Sequence, residues 1–96
     1  MRNERLTLVI AAHNEALALP LLHPRLRAVL DGLEGIEGRI VYVDDGSTDA
    51  TWQVMQALAA DDDSVGVLRL SRNFGKEAAL TAGLDRVEGG AAMILD

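Results

Sequence analysis

Four short, largely apolar runs recur along the chain: Leu6–Ala11 (LTLVIA), Arg39–Val43 (RIVYV), Val65–Leu70 (VGVLRL) and Ala91–Leu95 (AAMIL). Runs of this length that are nearly continuous in apolar residues read as strands buried on both faces. The longer stretches between them carry helical periodicity. Leu22, Leu26, Val29, Leu30 and Leu33 mark one stripe in the first, and Trp52, Met55 and Ala59 one side of the second, from about Asp49 to Ala60. Lys76 to about Val87 reads as a third helix, broken by Gly89 and Gly90. In the first helix Pro20 suits the opening turn, Pro24 removes one backbone bond, and Gly32, Gly35 and Gly38 end it. The order βαβαβαβ predicts an α/β fold, a parallel sheet with helices on both faces and right-handed crossovers.

Ninety-six residues support a single small domain, and nearly half of them are apolar, the balance of a globular chain. The net charge of −6 excludes a nucleic-acid binder that works by neutralising phosphates. Cysteine is absent, which excludes disulfides and thiolate metal sites. The Leu6–Ala12 run is too short for a signal core or a membrane span, so this segment is read as cytoplasmic. The sequence stops at AAMILD, within a strand-like run, which is the pattern expected of a fragment.

In a parallel sheet all strands point their carboxyl ends at one rim, and ligands bind in the crevice outside it. His13, Asn14 and Glu15 follow the first strand, and Asp44, Asp45, Gly46, Ser47, Thr48 and Asp49 the second. Ser71 to Lys76 (SRNFGK) follow the third, and Asp96 the fourth. The opposite connections, near residues 34–38, 61–64 and 88–90, hold acids and glycines with no comparable mix. The first turn, AAHNEA, lacks the glycines of a dinucleotide fingerprint, and no GxxxxGK[ST] phosphate loop occurs. A receiver-type phosphoacceptor domain expects its acid pair after the first strand, whereas here the pair follows the second. Neighbouring carboxylates can accept hydrogen bonds from the ring N–H and amine donors of a base. Arg72 and Lys76, at the entry to the third helix, favour anions together with the free N–H groups there. A base at the acidic corner and phosphates at the basic one make a nucleotide the expected ligand.

The segments VIAAHNEA, VYVDDGSTDAT and LSRNFGKEAALTAGLD, followed by a strand ending in Asp, resemble the N-terminal half of a family 2 glycosyltransferase of the GT-A fold. The branch they resemble is that of dolichol-phosphate mannose synthase and the bacterial polyprenyl-phosphate sugar transferases, and the resemblance spans Leu6 to Asp96. It implies that residues 1–96 form the Rossmann-like, nucleotide-sugar-binding part of such an enzyme. The implied donor is a UDP- or GDP-linked sugar, the acceptor a polyprenyl phosphate, the cofactor Mg²⁺ or Mn²⁺, and the stereochemical outcome inversion. By the same resemblance Ala11, His13, Glu15 and Val43 line the nucleotide pocket and Asp45 reads the base. Asp44, Gly46 and Ser47 support the turn, and Arg72 and Lys76 face the phosphates. Asp96 matches the first acid of an Asp-x-Asp motif near ribose, diphosphate and metal, a partial metal ligand whose companion acid would follow it. The family's usual Pro and Tyr of the first motif are replaced by Ala11 and His13.

Plainer roles stand beside these. Asp49 reads as an N-cap, with Ser47 and Thr48 satisfying nearby N–H groups. Asp44 serves equally well as a local turn former. His13 reads without the motif as a loop residue, Glu15 as a helix-start acid, and Arg72 and Lys76 as solvated cations. His23, Trp52 and Met55 read as packing or surface residues, and Asp61–Asp63 as a solvated loop. The isolated chain is expected to lack turnover, and a longer parent to carry membrane helices further on. The competing expectation is a non-catalytic α/β module that self-associates as a homo-oligomer through an open sheet edge.

Overall fold

The computed structural model describes residues 4–95. Four strands, β1 (Glu4–Ala12), β2 (Ile36–Asp44), β3 (Val65–Arg69) and β4 (Ala91–Leu95), alternate with three helices, α1 (Leu19–Asp31), α2 (Thr51–Asp61) and α3 (Lys76–Leu84). The strands form one parallel sheet in the order β3-β2-β1-β4. β1 and β2 pair along their full length, from Glu4 opposite Ile36 to Ala12 opposite Asp44.

The two-residue period of a strand divides the apolar residues between two cores. Leu8, Ile10 and Ala12 of β1 join Ile40 and Tyr42 of β2 beneath Leu19 and Leu30 of α1 and Met55 of α2. Val41 and Val43 of β2 turn the other way and pack with Ala79 of α3. Burial on both faces explains why β1 and β2 lack apolar–polar alternation, whereas β4, expected to be buried likewise, is mostly exposed at the edge of the sheet. Each Val, Leu, Ile or Met side chain enclosed in these cores contributes about 1.5–3 kcal/mol.

Three expectations are corrected. The buried stripe of α1 runs through Leu19, His23, Leu26 and Leu30, whereas Leu22, Val29 and Leu33 are exposed. A count of apolar residues misses this face because a histidine occupies one of its turns. β2 begins at Ile36 rather than Arg39, so Gly38 lies within the strand and not at a helix end; a Cβ there would press on the Leu30 side chain. The third helix ends at Leu84, and a turn fills the interval to Gly89.

His23 anchors a polar network inside the first core. Its Nδ1 lies 2.6 Å from the Tyr42 hydroxyl and its Nε2 3.5 Å from Asp62 Oδ2. Burial, reinforced by the nearby Asp62 charge, pushes the Tyr42 hydroxyl up to about 12. Tyr42 therefore stays protonated and can donate to Nδ1, leaving Nε2–H facing Asp62, a tautomer assigned from these partners. Asp62 also accepts from the Ser64 N–H and hydroxyl, at 2.9 and 2.6 Å, and lies 3.5 Å from Arg27. Burial alone would raise this carboxyl, but the Ser64 hydrogen bonds, the Arg27 charge and the facing His23 ring more than offset it and hold it below its ordinary value. Asp62 is thus tied into the fold, contrary to the solvated loop expected of Asp61–Asp63.

Candidate functional site

The β2–α2 turn is built by its own first residue. Asp44 is fully buried, and its Oδ1 accepts the Ser47 N–H at 3.0 Å, closing the turn. Its Oδ2 is buried without a hydrogen-bond partner among the described residues, with Arg69 Nε 3.7 Å away. Gly46, between them, has φ +65°, and a Cβ there would collide with the backbone of Arg72 and Asn73. The turn and the β3–α3 loop therefore touch backbone to backbone, which requires glycine.

Asp45 fastens that contact. It is 4% exposed, and its carboxylate accepts the N–H groups of Phe74 at 2.8 Å and Gly75 at 3.2 Å. Asn73 Oδ1 also accepts from the Gly75 N–H, at 3.0 Å. The acid expected to be free for a ligand is thus already engaged with the neighbouring loop, while each oxygen keeps further acceptor capacity.

The β1–α1 loop is locked to the same turn through Asn14, whose φ of 56° is a left-handed conformation that asparagine tolerates. Its Oδ1 accepts the Thr48 N–H at 2.8 Å and the Asp49 N–H at 3.3 Å, and its own N–H donates to Ser47 Oγ at 2.9 Å. Glu15 N–H donates to Thr51 Oγ1 at 2.8 Å and Ala16 N–H to Asp49 Oδ2 at 3.3 Å. Asp49 also receives the Thr51 N–H at 2.9 Å and the Thr51 hydroxyl. The N-cap of α2 is Ala50, without a side-chain cap, rather than Asp49 as expected; Asp49, one residue earlier, takes the Thr51 N–H instead, and the Thr51 hydroxyl bond holds its carboxyl below the usual range. Ser47 satisfies an N–H, whereas the Thr48 hydroxyl faces Asn14 Oδ1 at 3.3 Å.

These interlocked loops leave a cavity of about 190 Å³ lined by Ala11, Ala12, His13, Glu15, Asp45 and Lys76. An imidazole, two carboxylates and an ammonium thus meet at the carboxyl ends of β1 and β2. His13 Nε2 lies 3.3 Å from Asn73 Nδ2, which bridges the first loop to the third. A second, more apolar cavity of about 320 Å³ adjoins it, sharing Ala11, Ala12 and Glu15 and adding Leu19, Leu22 and Leu95. Of the residues expected at the site, Ala11, His13, Glu15, Asp45 and Lys76 come together, with Asp44, Gly46 and Ser47 beneath them. Val43 lies under α3 with its side chain fully buried, so a ligand can meet no more than its backbone. The Arg72 guanidinium stacks 4.4 Å from the Phe74 ring centroid and lies outside the lining of the cavity. Asp96 falls outside the described residues. Among the described residues no group of three or more His, Cys, Asp or Glu could hold a metal ion.

Residues 7–96 match the family described as Glycosyl transferase family 2. The chain belongs to that family. Relatives of this family 2 chain include the prophage bactoprenol glucosyl transferase homolog of Escherichia coli, 41% identical over 92 residues. That match covers 96% of this chain and 30% of the relative. The undecaprenyl-phosphate 4-deoxy-4-formamido-L-arabinose transferase of Shewanella sediminis is 38% identical over 92 residues, covering 94% of this chain and 27% of its own length. The chain therefore spans under a third of the relatives it matches.

Among solved structures, S. aureus TarS in complex with UDP superposes with a TM-score of 0.78 at 24% identity, over 96% of this chain and 27% of that one. The mannosyltransferase PcManGT of Pyrobaculum calidifontis, in complex with GDP-Man and Mn²⁺, superposes at 0.67 and 22% identity, over 92% and 26%. These likenesses establish the GT-A, Rossmann-like parallel sheet. Asn14 and Asn73, which knit the three loops, were given no role from sequence. The signal for Asn14 was an asparagine between a strand end and a helix start, where left-handed backbone is common.

Proposed function

We propose that this family 2 chain forms the donor-binding part of a glycosyltransferase that moves a sugar from a nucleoside diphosphate to a polyprenyl phosphate. One observation carries the reading: Asp45 and Lys76, from different loops, line one cavity with His13 and Glu15 at the carboxyl rim of the sheet. The base lies against Asp45 and Glu15, whose oxygens accept its N–H donors, and the His13 ring offers it an edge or face. The diphosphate lies toward Lys76 and the first turn of α3, where the ammonium and the helix dipole favour negative charge. Arg72, on the same β3–α3 loop but stacked on Phe74 outside the cavity lining, would have to turn toward the ligand to add a second cation. The printed names of the relatives, bactoprenol and undecaprenyl phosphate among them, support the acceptor class.

In the proposed reaction an acceptor phosphate oxygen attacks the anomeric carbon as its bond to the diphosphate breaks, so the configuration inverts. The electron pair leaves with the diphosphate, whose growing charge Lys76 faces. The acceptor is already an anion and needs no base to activate it. A divalent cation, Mg²⁺ or Mn²⁺, held in part by Asp96, belongs to this reading and when bound supplies charge beside the diphosphate. The described residues make no complete metal set.

The test is titration of the chain with UDP and GDP, with and without Mn²⁺. We expect saturable binding that weakens about tenfold in Lys76→Gln, the loss of one charge-assisted contact. Absence of binding to either nucleotide would overturn the reading. A second reading, a self-associating module, is favoured by β4, which pairs with β1 on one side and leaves Met93 and Ile94 about half exposed. Sedimentation distinguishes it: a monomer at micromolar concentration that binds nucleotide rejects the module.

A further inference from the structure

Cations also gather at the opposite end of the sheet. Arg5 of β1, Arg39 of β2 and Arg86, just beyond α3, line a cavity of about 130 Å³ with Thr7, Ser64 and Glu88. Three of the chain's nine basic residues thus converge where Glu88 lines the cavity and Glu37 stands beside it, in a molecule whose net charge is −6.

Arg39 Nε is buried, on a side chain that is otherwise partly exposed, and has no hydrogen-bond partner among the described residues. Glu37 Oε1 lies 3.6 Å from it, close enough for charge attraction and beyond hydrogen-bond reach. A buried N–H without an acceptor bears its full desolvation penalty, so an acceptor entering the cavity gains what the fold leaves unmade. Arg5 is held in place, donating to Glu37 Oε2 at 3.2 Å and to the Glu88 carbonyl at 2.8 Å. The Arg86 side chain is exposed and makes no ion pair among the described residues. Ser64 is spent on Arg27 and Asp62, so the guanidiniums are the recognition groups.

We propose that this cavity binds a phosphate-class oxyanion, as a free phosphate group or as the headgroup of an anionic phospholipid. A tetrahedral oxyanion offers acceptors in several directions, which planar guanidinium forks on three elements can meet together. Counted along β1, the site stands roughly 20 Å from the nucleotide cavity, so it is a separate site and does not rest on the proposed transferase activity.

The test follows the arginine Nε–H resonances of the 96-residue chain as inorganic phosphate is added, together with flotation on phosphatidylcholine vesicles with and without phosphatidylglycerol. We expect a saturable shift of the Arg39 Nε–H signal, with affinity roughly tenfold lower in Arg86→Gln. Phosphate binding without vesicle capture identifies a soluble ligand. Capture by phosphatidylglycerol that added phosphate reverses identifies the headgroup. Arg86→Gln alters an exposed side chain, and its amide spectrum verifies the fold even if Arg39→Gln proves unstable. An Arg39 signal unmoved by phosphate, with no vesicle capture, overturns the proposal, as does binding unchanged in Arg86→Gln.

Discussion

Asp45, at the start of the β2–α2 turn, grips the backbone N–H of Phe74, twenty-nine residues later, at 2.8 Å. With the bond to Gly75 it fixes the loop that delivers Lys76 to the cavity. The acidic and basic corners of the candidate site are therefore coupled, because one carboxylate both faces the cavity and sets the position of the cation.

Replacing Asp45 by alanine leaves the Phe74 N–H without an acceptor and the Gly75 N–H with Asn73 Oδ1 alone, and is expected to lower stability by about 1–3 kcal/mol. Asp45→Asn keeps one acceptor and should lose about half as much. Urea unfolding measures both, and nucleotide titration should show affinity falling in the same order. An alanine variant as stable as the parent would remove the coupling.

Gly46→Ala forces a side chain into a positive φ and against the Arg72 and Asn73 backbone. We expect a loss of about 2 kcal/mol or more. Gly35 shares a positive φ but has open space around it, so Gly35→Ala should lose about 1 kcal/mol. The difference in urea midpoints isolates the loop contact.

Tyr42 links alkaline pH to stability. Its folded value of about 12 exceeds the ordinary value near 10, so its contribution is complete below pH 10 and is lost as pH rises through 12. Tyr42→Phe should flatten that alkaline slope. It should also cost about 1–3 kcal/mol at neutral pH by leaving His23 Nδ1 unpartnered. Thermal melts at neutral pH and above pH 10 provide the check.

Asp62 acts on the acid side. Its carboxyl sits below the ordinary value when folded, so its contribution is present above about pH 4 and is lost as pH falls from there through the folded value. Asp62→Asn should reduce the acid dependence of the urea midpoint. An unchanged slope would show that other carboxylates govern acid unfolding.

Strand and helix order was legible because each β run is nearly continuous in apolar residues, on the buried β1 and β2 as on the more exposed β3 and β4, and each helix is bounded by turn residues. The phase of α1 was not, since His23 satisfies its polarity through Tyr42 and Asp62, contacts distant in sequence. The convergence of Asp45 with His13 and Lys76 followed from parallel topology, whereas the engagement of Asp45 by Phe74 and Gly75 depends on how two loops meet. Arg5, Arg39 and Arg86 went unnoticed because they lie on strand starts and after a helix, outside the connections that draw attention in a linear reading.

The central place of β1 bears on how the chain is made. Leu6 pairs with Gly38 on one side and with Ala91 on the other, eighty-five residues downstream. Of these four strands β1 is made first and waits longest for its second neighbour, with one edge unclaimed until β4 has been translated. Contacts so remote in sequence slow folding and leave nascent intermediates prone to aggregate, which makes β1 a natural client for a chaperone during synthesis.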